Sequence, residues 1–113
     1  MTYWLLVFSN PTQGREHDYN KWYDNQHLPD LLRIPGVVSA RRLVASDTQF
    51  AKDDKLPGKY LALYEIEAED LAAVFLDMQS RVGESGMVMS DAIDLASIRT
   101  MVFYPHTPSL PSE

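Results

Sequence analysis

The sequence contains no cysteine, so disulfides and thiolate metal sites are excluded at the outset. It also lacks an excess of basic charge. Ten Lys and Arg stand against sixteen Asp and Glu, a formal net charge of −6. A chain that grips phosphates needs a basic face, which argues against nucleic acid as the main partner. No apolar run approaches the ~20 residues of a membrane span. The opening MTYWLLVFSN has no basic start and turns polar too soon for a signal peptide. These absences lead to the expectation of a cytoplasmic protein with no membrane attachment. A glycine-rich phosphate loop, a G-x-S-x-G elbow and a nucleotide fingerprint are likewise missing. His17, His27 and His106 are too scattered to suggest a metal site by spacing.

What is present suits one compact domain. The chain has 113 residues, 45% hydrophobic and 23% charged. Folding at this size buries roughly two-thirds of the unfolded surface, enough for a real core. Residues 1–105 read as a single domain. Residues 106–113 form a proline-rich tail that cannot pair centrally in a sheet and is either a loose end or an arm on a partner chain.

Thr2 to Ser9, TYWLLVFS, is a continuous aromatic and branched run ended by the turn cluster NPTQG, which predicts a buried strand. From Arg15 to His27 the period becomes helical. Tyr19, Trp22, Tyr23, Gln26 and His27 fall on one face, and His17, Asp18, Lys21, Asp24 and Asn25 on the other. Pro29 disfavours helical geometry at Leu28, so this helix is expected to end near His27. Pro35-Gly36 then turns the chain into a second strand, VVSARRLVA. Ser46 to Lys59 is polar and reads as a long exposed hairpin loop. Tyr60 to Ile66 forms the third strand, and EAEDLAAVFLDMQSRV the second helix, with Leu71, Val74, Phe75, Met78 and Val82 as its core stripe. After an irregular segment, Leu95 to Tyr104 is the fourth strand.

The order βαββαβ is the split-βαβ, or ferredoxin-like, arrangement: an α+β domain with two helices on one face of a four-stranded antiparallel sheet. The strands are apolar on both sides, with Trp4, Leu6 and Phe8 alternating with Tyr3, Leu5 and Val7. A sheet half exposed to water alternates more cleanly. The helix-free face is therefore expected to pack on an identical sheet, giving a homodimer.

The two helices bury different chemistry. The second presents aliphatic residues and methionine, whereas the first presents Tyr19, Trp22, Tyr23, Gln26 and His27. Buried hydroxyl, indole and imidazole groups need partners, which a ligand cavity, ordered water or strand side chains can supply. The competing reading is a core of amphipathic residues with their tips at the rim. At a helix end, His27 is pulled toward the charged form by the dipole and away from it by burial, a balance that sets it near neutral pH as a general acid or base. Asp30 is placed to orient its ring, or else to cap the LLR turn. Arg42 has a register that shields its charge, so it needs an anion: Glu65 or Glu67 nearby, or an acidic group on a ligand. Tyr64 on the third strand is a similar case. Met87 and Met89 suit an adaptable pocket wall, with gap filling as the plainer role.

The stretch NPTQGREHDYNKWYDNQHLPDLLRIPGVVSARRL resembles the dimeric α+β barrel superfamily, closest to its EthD-like branch and uncharacterised relatives, with W-Y-x-x-x-H-x-P before P-G-x-x-x-A-R-R. The matching positions are Trp22, Tyr23, His27 and Pro29, then Pro35, Gly36, Ala40, Arg41 and Arg42. The resemblance implies homodimers with facing sheets, a pocket between each sheet and its helices, and small cyclic or aromatic substrates often handled without a cofactor, although some members of the superfamily bind haem. The expected function is a cofactor-independent lyase or isomerase acting on a small aromatic or lactone-like acid. In that reading His27 moves the proton and Asp30 orients His27, while Tyr19, Trp22, Tyr23 and Tyr64 shape the pocket and Arg42 holds the acid. The alternatives are a cofactor-free monooxygenase of a phenolic substrate and a non-catalytic small-molecule-binding dimer.

Overall fold

The computed structural model describes residues 1–53 and 55–113. Asp54, within the expected long loop, lies outside the described residues. Four strands, β1 (Thr2–Ser9), β2 (Val37–Val44), β3 (Tyr60–Glu67) and β4 (Arg99–Phe103), form one sheet in the order β2-β3-β1-β4. Every neighbouring pair is antiparallel. This is the ferredoxin-like order expected from βαββαβ. β2 carries one irregularity, between Val37 and Ser39.

The register sorts the strand residues. Leu5, Ala62, Tyr64 and Ile66 are buried and share one face, beneath the helices. Trp4, Leu6, Leu63, Met101 and Phe103 share the other, which no helix covers. Met101 and Phe103 are exposed there. The last strand is shorter than the sequence suggests. Asp94 accepts a hydrogen bond from Ala96 N and caps a 3-10 turn, Leu95–Ser97, so pairing starts only at Arg99. Residues 104–113 carry no helix or strand.

The first helical layer corrects one expectation. The rod does not stop at His27. It runs as α1 (Glu16–Trp22), a π-helical turn (Tyr23–His27) and α2 (Leu28–Leu32), with Leu28 fully helical at φ −58°, ψ −48°. The widening resolves the conflict with Pro29. Leu28 N–H bonds back to Tyr23 O, five residues away, before the proline removes a donor from the next turn. The rod ends at Leu32, and the chain then turns at Pro35-Gly36. Gly36 has φ +99°, a conformation that L side chains rarely adopt, and an added Cβ would press on Glu67 O and Val74 at 3.3 Å.

The second helix, α3 (Leu71–Arg81), starts at Asp70, whose carboxylate accepts from Ala73 N. Leu71, Val74, Phe75 and Met78 pack on the core as expected. Val82 does not. It is the C-cap, its backbone has turned extended, and its side chain is 51% exposed. No residue of α3 is fully buried, so this helix sits less deeply on the sheet than the first. No described helix is long and apolar enough to cross a membrane.

Candidate functional site

A cavity of about 310 Å³ lies between the sheet, α3 and the segment before β4. The most buried residues around it are Leu5, Leu31, Tyr64 and Met87. Met78, Met89 and Ile98 form its walls, and Gln79, Val82 and Leu95 its exposed rim. This volume is at the lower end of the range for small-molecule sites, and an apolar lining with few polar groups is their usual chemistry. His27 completes the lining from the π turn.

Two residues that line this cavity each carry a polar atom without a partner. Nδ1 of His27 and the hydroxyl of Tyr64 are buried, and neither forms a hydrogen bond with a described residue. Tyr23 is close enough to act on the Tyr64 phenol, as are Arg42 and Tyr19. Such orphans are uncommon in folded proteins, because each forfeits its hydration without recompense. Both residues were singled out from the sequence, and both line the cavity.

The imidazole is fixed by aromatic packing. Trp22 stacks on it with ring centroids 4.6 Å apart, and Tyr23 meets it edge-on at 5.0 Å. Trp22 is itself held by a 2.9 Å bond from Nε1 to Val88 O. The balance expected at His27 is not found. Burial pushes its pKa down to about 4, and the nearby Asp30 charge offsets only part of that. Because the helix continues to Leu32, no helix terminus lies at His27 to favour the cation. The phenols are also neutral. Burial raises Tyr23 to about 12 and Tyr64 well above its ordinary value.

Asp30 plays a different part from the one expected. Its carboxylate is almost wholly buried and forms no hydrogen bond to His27. One oxygen accepts from Gln26 Nε2 at 2.8 Å and Val88 N at 3.1 Å, and the other from Arg33 at 2.7 Å. Desolvation opposes the charge, but these donors outweigh it and hold the pKa below the usual carboxylate range. Asp30 thus ties α2 to the irregular segment of Met87, Val88 and Met89, and so fixes one wall of the cavity.

Arg42 and Tyr19 lie in a second cluster, outside the lining. Arg42 points to the helix-covered face and donates to Asp24 at 2.7 Å and Asn20 at 2.9 Å. Its guanidinium carbon sits 4.4 Å from the Tyr23 ring centroid, 5.0 Å from Tyr60 and 5.2 Å from Tyr19. The expected partners Glu65 and Glu67 are not used; Asp24 in the π turn supplies the anion instead. Tyr19 is fully buried and shares a 2.6 Å hydrogen bond with Ser9 Oγ. Of the seven residues singled out, His27 and Tyr64 line the cavity, Trp22 and Tyr23 clamp His27, Asp30 anchors a wall, and Arg42 and Tyr19 brace the helix. Leu31, Leu95 and Ile98 carried no sequence signal beyond being apolar. Among the described residues, no group of three His, Asp or Glu is placed to hold a metal ion.

No protein-family model matches the sequence, and no curated protein does. In structure the chain is similar to an ethyl tert-butyl ether D (EthD) family protein from Bacillus halodurans C-125, with a TM-score of 0.53 and 13% sequence identity, covering 93% of this chain and 99% of that one. The chain therefore has the ferredoxin-like α+β fold seen in an EthD-family protein, matched over nearly its whole length.

Proposed function

We propose that the chain is a small-molecule enzyme of the cofactor-independent lyase or isomerase type, working in the cavity beside His27. The observation that carries this reading is that two residues lining an otherwise apolar cavity, His27 and Tyr64, each hold a buried polar atom without a partner. A bound molecule with one polar group would supply what they lack. In this reading Tyr64, a neutral phenol, donates to a substrate oxygen and draws charge from the neighbouring bond. His27, neutral at pH 7, takes the proton that this makes more acidic, and returns it elsewhere in the product. A base with a pKa of about 4 is weak, so the polarising bond from Tyr64 is essential to the scheme.

The same low pKa favours a second reading, a binding site without turnover. Incubating the protein with small cyclic ketones, lactones and phenols, followed by NMR of the products, separates the two. Under the first reading a turned-over compound is found, His27→Ala lowers its rate by ~10²–10⁴-fold, and His17→Ala, on the exposed face, leaves it unchanged. Equal rates in both variants would remove His27 from the mechanism.

The working form in this proposal is a homodimer joined through the helix-free face, where Trp4, Leu6, Leu63 and Phe103 surround a concavity of about 700 Å³ together with tail residues Tyr104, Pro105, Thr107, Pro108 and Ser109. A continuous apolar surface of this kind marks an association site.

A further inference from the structure

The cavity has no charge of its own. Among the described residues that line it there is no Lys, Arg, Asp or Glu. Its polar members are His27, Tyr64 and Gln79, with Gln79 at the rim. The cation that the sequence offered for an acidic ligand is engaged elsewhere: Arg42 is bonded to Asp24 and Asn20 and stacked on tyrosine rings. The charge that does reach His27 is negative, from the buried Asp30 carboxylate. A ligand carboxylate entering this space would lose its water, find no cation, and meet the Asp30 field.

The uncharged polar residues of the lining, His27 and Tyr64, suit something different. A hydroxyl can donate to an imidazole nitrogen and accept from a phenol; a carbonyl oxygen can accept from the phenol. Three methionines, Met78, Met87 and Met89, line the space and can adapt to a flat or rounded hydrocarbon body. We infer that the site takes a neutral, largely apolar molecule carrying a hydroxyl or carbonyl group, and rejects carboxylates of the same shape. The inference rests on the cavity being a ligand site, as proposed above, and names the class of ligand.

Three probes of one shape test it: 4-ethylphenol, ethylbenzene and 4-ethylbenzoate, titrated at pH 7.5 into the ¹⁵N-labelled chain and followed by amide chemical shifts. The shifts also locate the bound probe. The expected result is that 4-ethylphenol binds at least tenfold tighter than 4-ethylbenzoate, with shifts centred on His27, Tyr64 and Met87. Tyr64→Phe, which keeps the ring, should bring 4-ethylphenol down toward ethylbenzene. If 4-ethylbenzoate binds at the cavity as tightly as 4-ethylphenol, the inference is overturned while the ligand site stands. If 4-ethylphenol gains nothing over ethylbenzene, or loses nothing in Tyr64→Phe, the polar half of the inference is overturned. Absence of cavity shifts with all three probes would overturn the ligand site and the inference together.

Discussion

Acidification tests the environment of His27 directly. Burial holds the imidazole pKa at about 4 in the folded chain, against the ordinary 6.5 that holds in the unfolded state. Between those values the unfolded chain holds the extra proton, so stability falls as pH drops. Stability from this group is complete above pH 6.5 and is lost as pH falls toward 4. The full drop corresponds to roughly 3 kcal/mol, and about 2.5 kcal/mol of it develops between pH 7.5 and 4.5. Glu16, Glu67 and Asp30 also have lowered pKa values, so acid weakens the fold through them as well. Comparison with His27→Gln cancels that background. Urea unfolding of both proteins, read by tryptophan fluorescence at the two pH values, should show the wild type losing about 2 to 3 kcal/mol more than the variant. The absolute cost of removing the Trp22 stack drops out of this difference, because it is present at both pH values. A difference below about 0.5 kcal/mol would mean that His27 titrates near its ordinary value, and the account of its burial would be wrong.

Three other outcomes are expected. Asp30→Asn should destabilise the chain by about 2 kcal/mol, since it replaces a buried acceptor of three hydrogen bonds with a group that accepts at one end only; a stability unchanged within error would show that the Met87 to Met89 segment is held by other contacts. Arg42→Lys loses the paired bonds to Asp24 and Asn20 and the stack on Tyr23, and should cost about 1 to 2 kcal/mol while leaving 4-ethylphenol affinity unchanged. Weakened probe binding with an intact fold would instead bring Arg42 back to the ligand. Light scattering at low micromolar concentration should report twice the 12.9 kDa chain mass, and a clean monomer would contradict pairing through the helix-free face.

The strands were legible because a strand run such as TYWLLVFS between turn residues admits few other structures, and the helical phase from Tyr19 to His27 correctly set those side chains toward the core. The passage of the helix through Pro29 was not legible. The rule that a residue before proline avoids helical geometry is a bias, and a π turn relieved it by shifting Leu28 N–H to Tyr23 O. That single local event also upset the expectation for His27, since a helix that continues has no exposed carbonyls at that point. The wall of the cavity depends on a bond between Asp30 and Val88, 58 residues apart. Nothing local to GESGMVMSDAID marks where it docks, so Met87 and Met89 could be named as adaptable but not placed. Arg42 was correctly expected to be shielded and paired, yet its partners came from α1 and the π turn, which register along a strand does not reveal.

The central claim is that the cavity beside His27 is where a ligand binds. A crystal of the chain soaked in 4-ethylphenol tests this most directly. The account predicts the probe between Tyr64, Met87 and Met89, with its oxygen within hydrogen-bonding distance of Tyr64 Oη or His27 Nδ1. Density for the probe only in the concavity beside Trp4 and Phe103, with the space beside His27 empty, would contradict it.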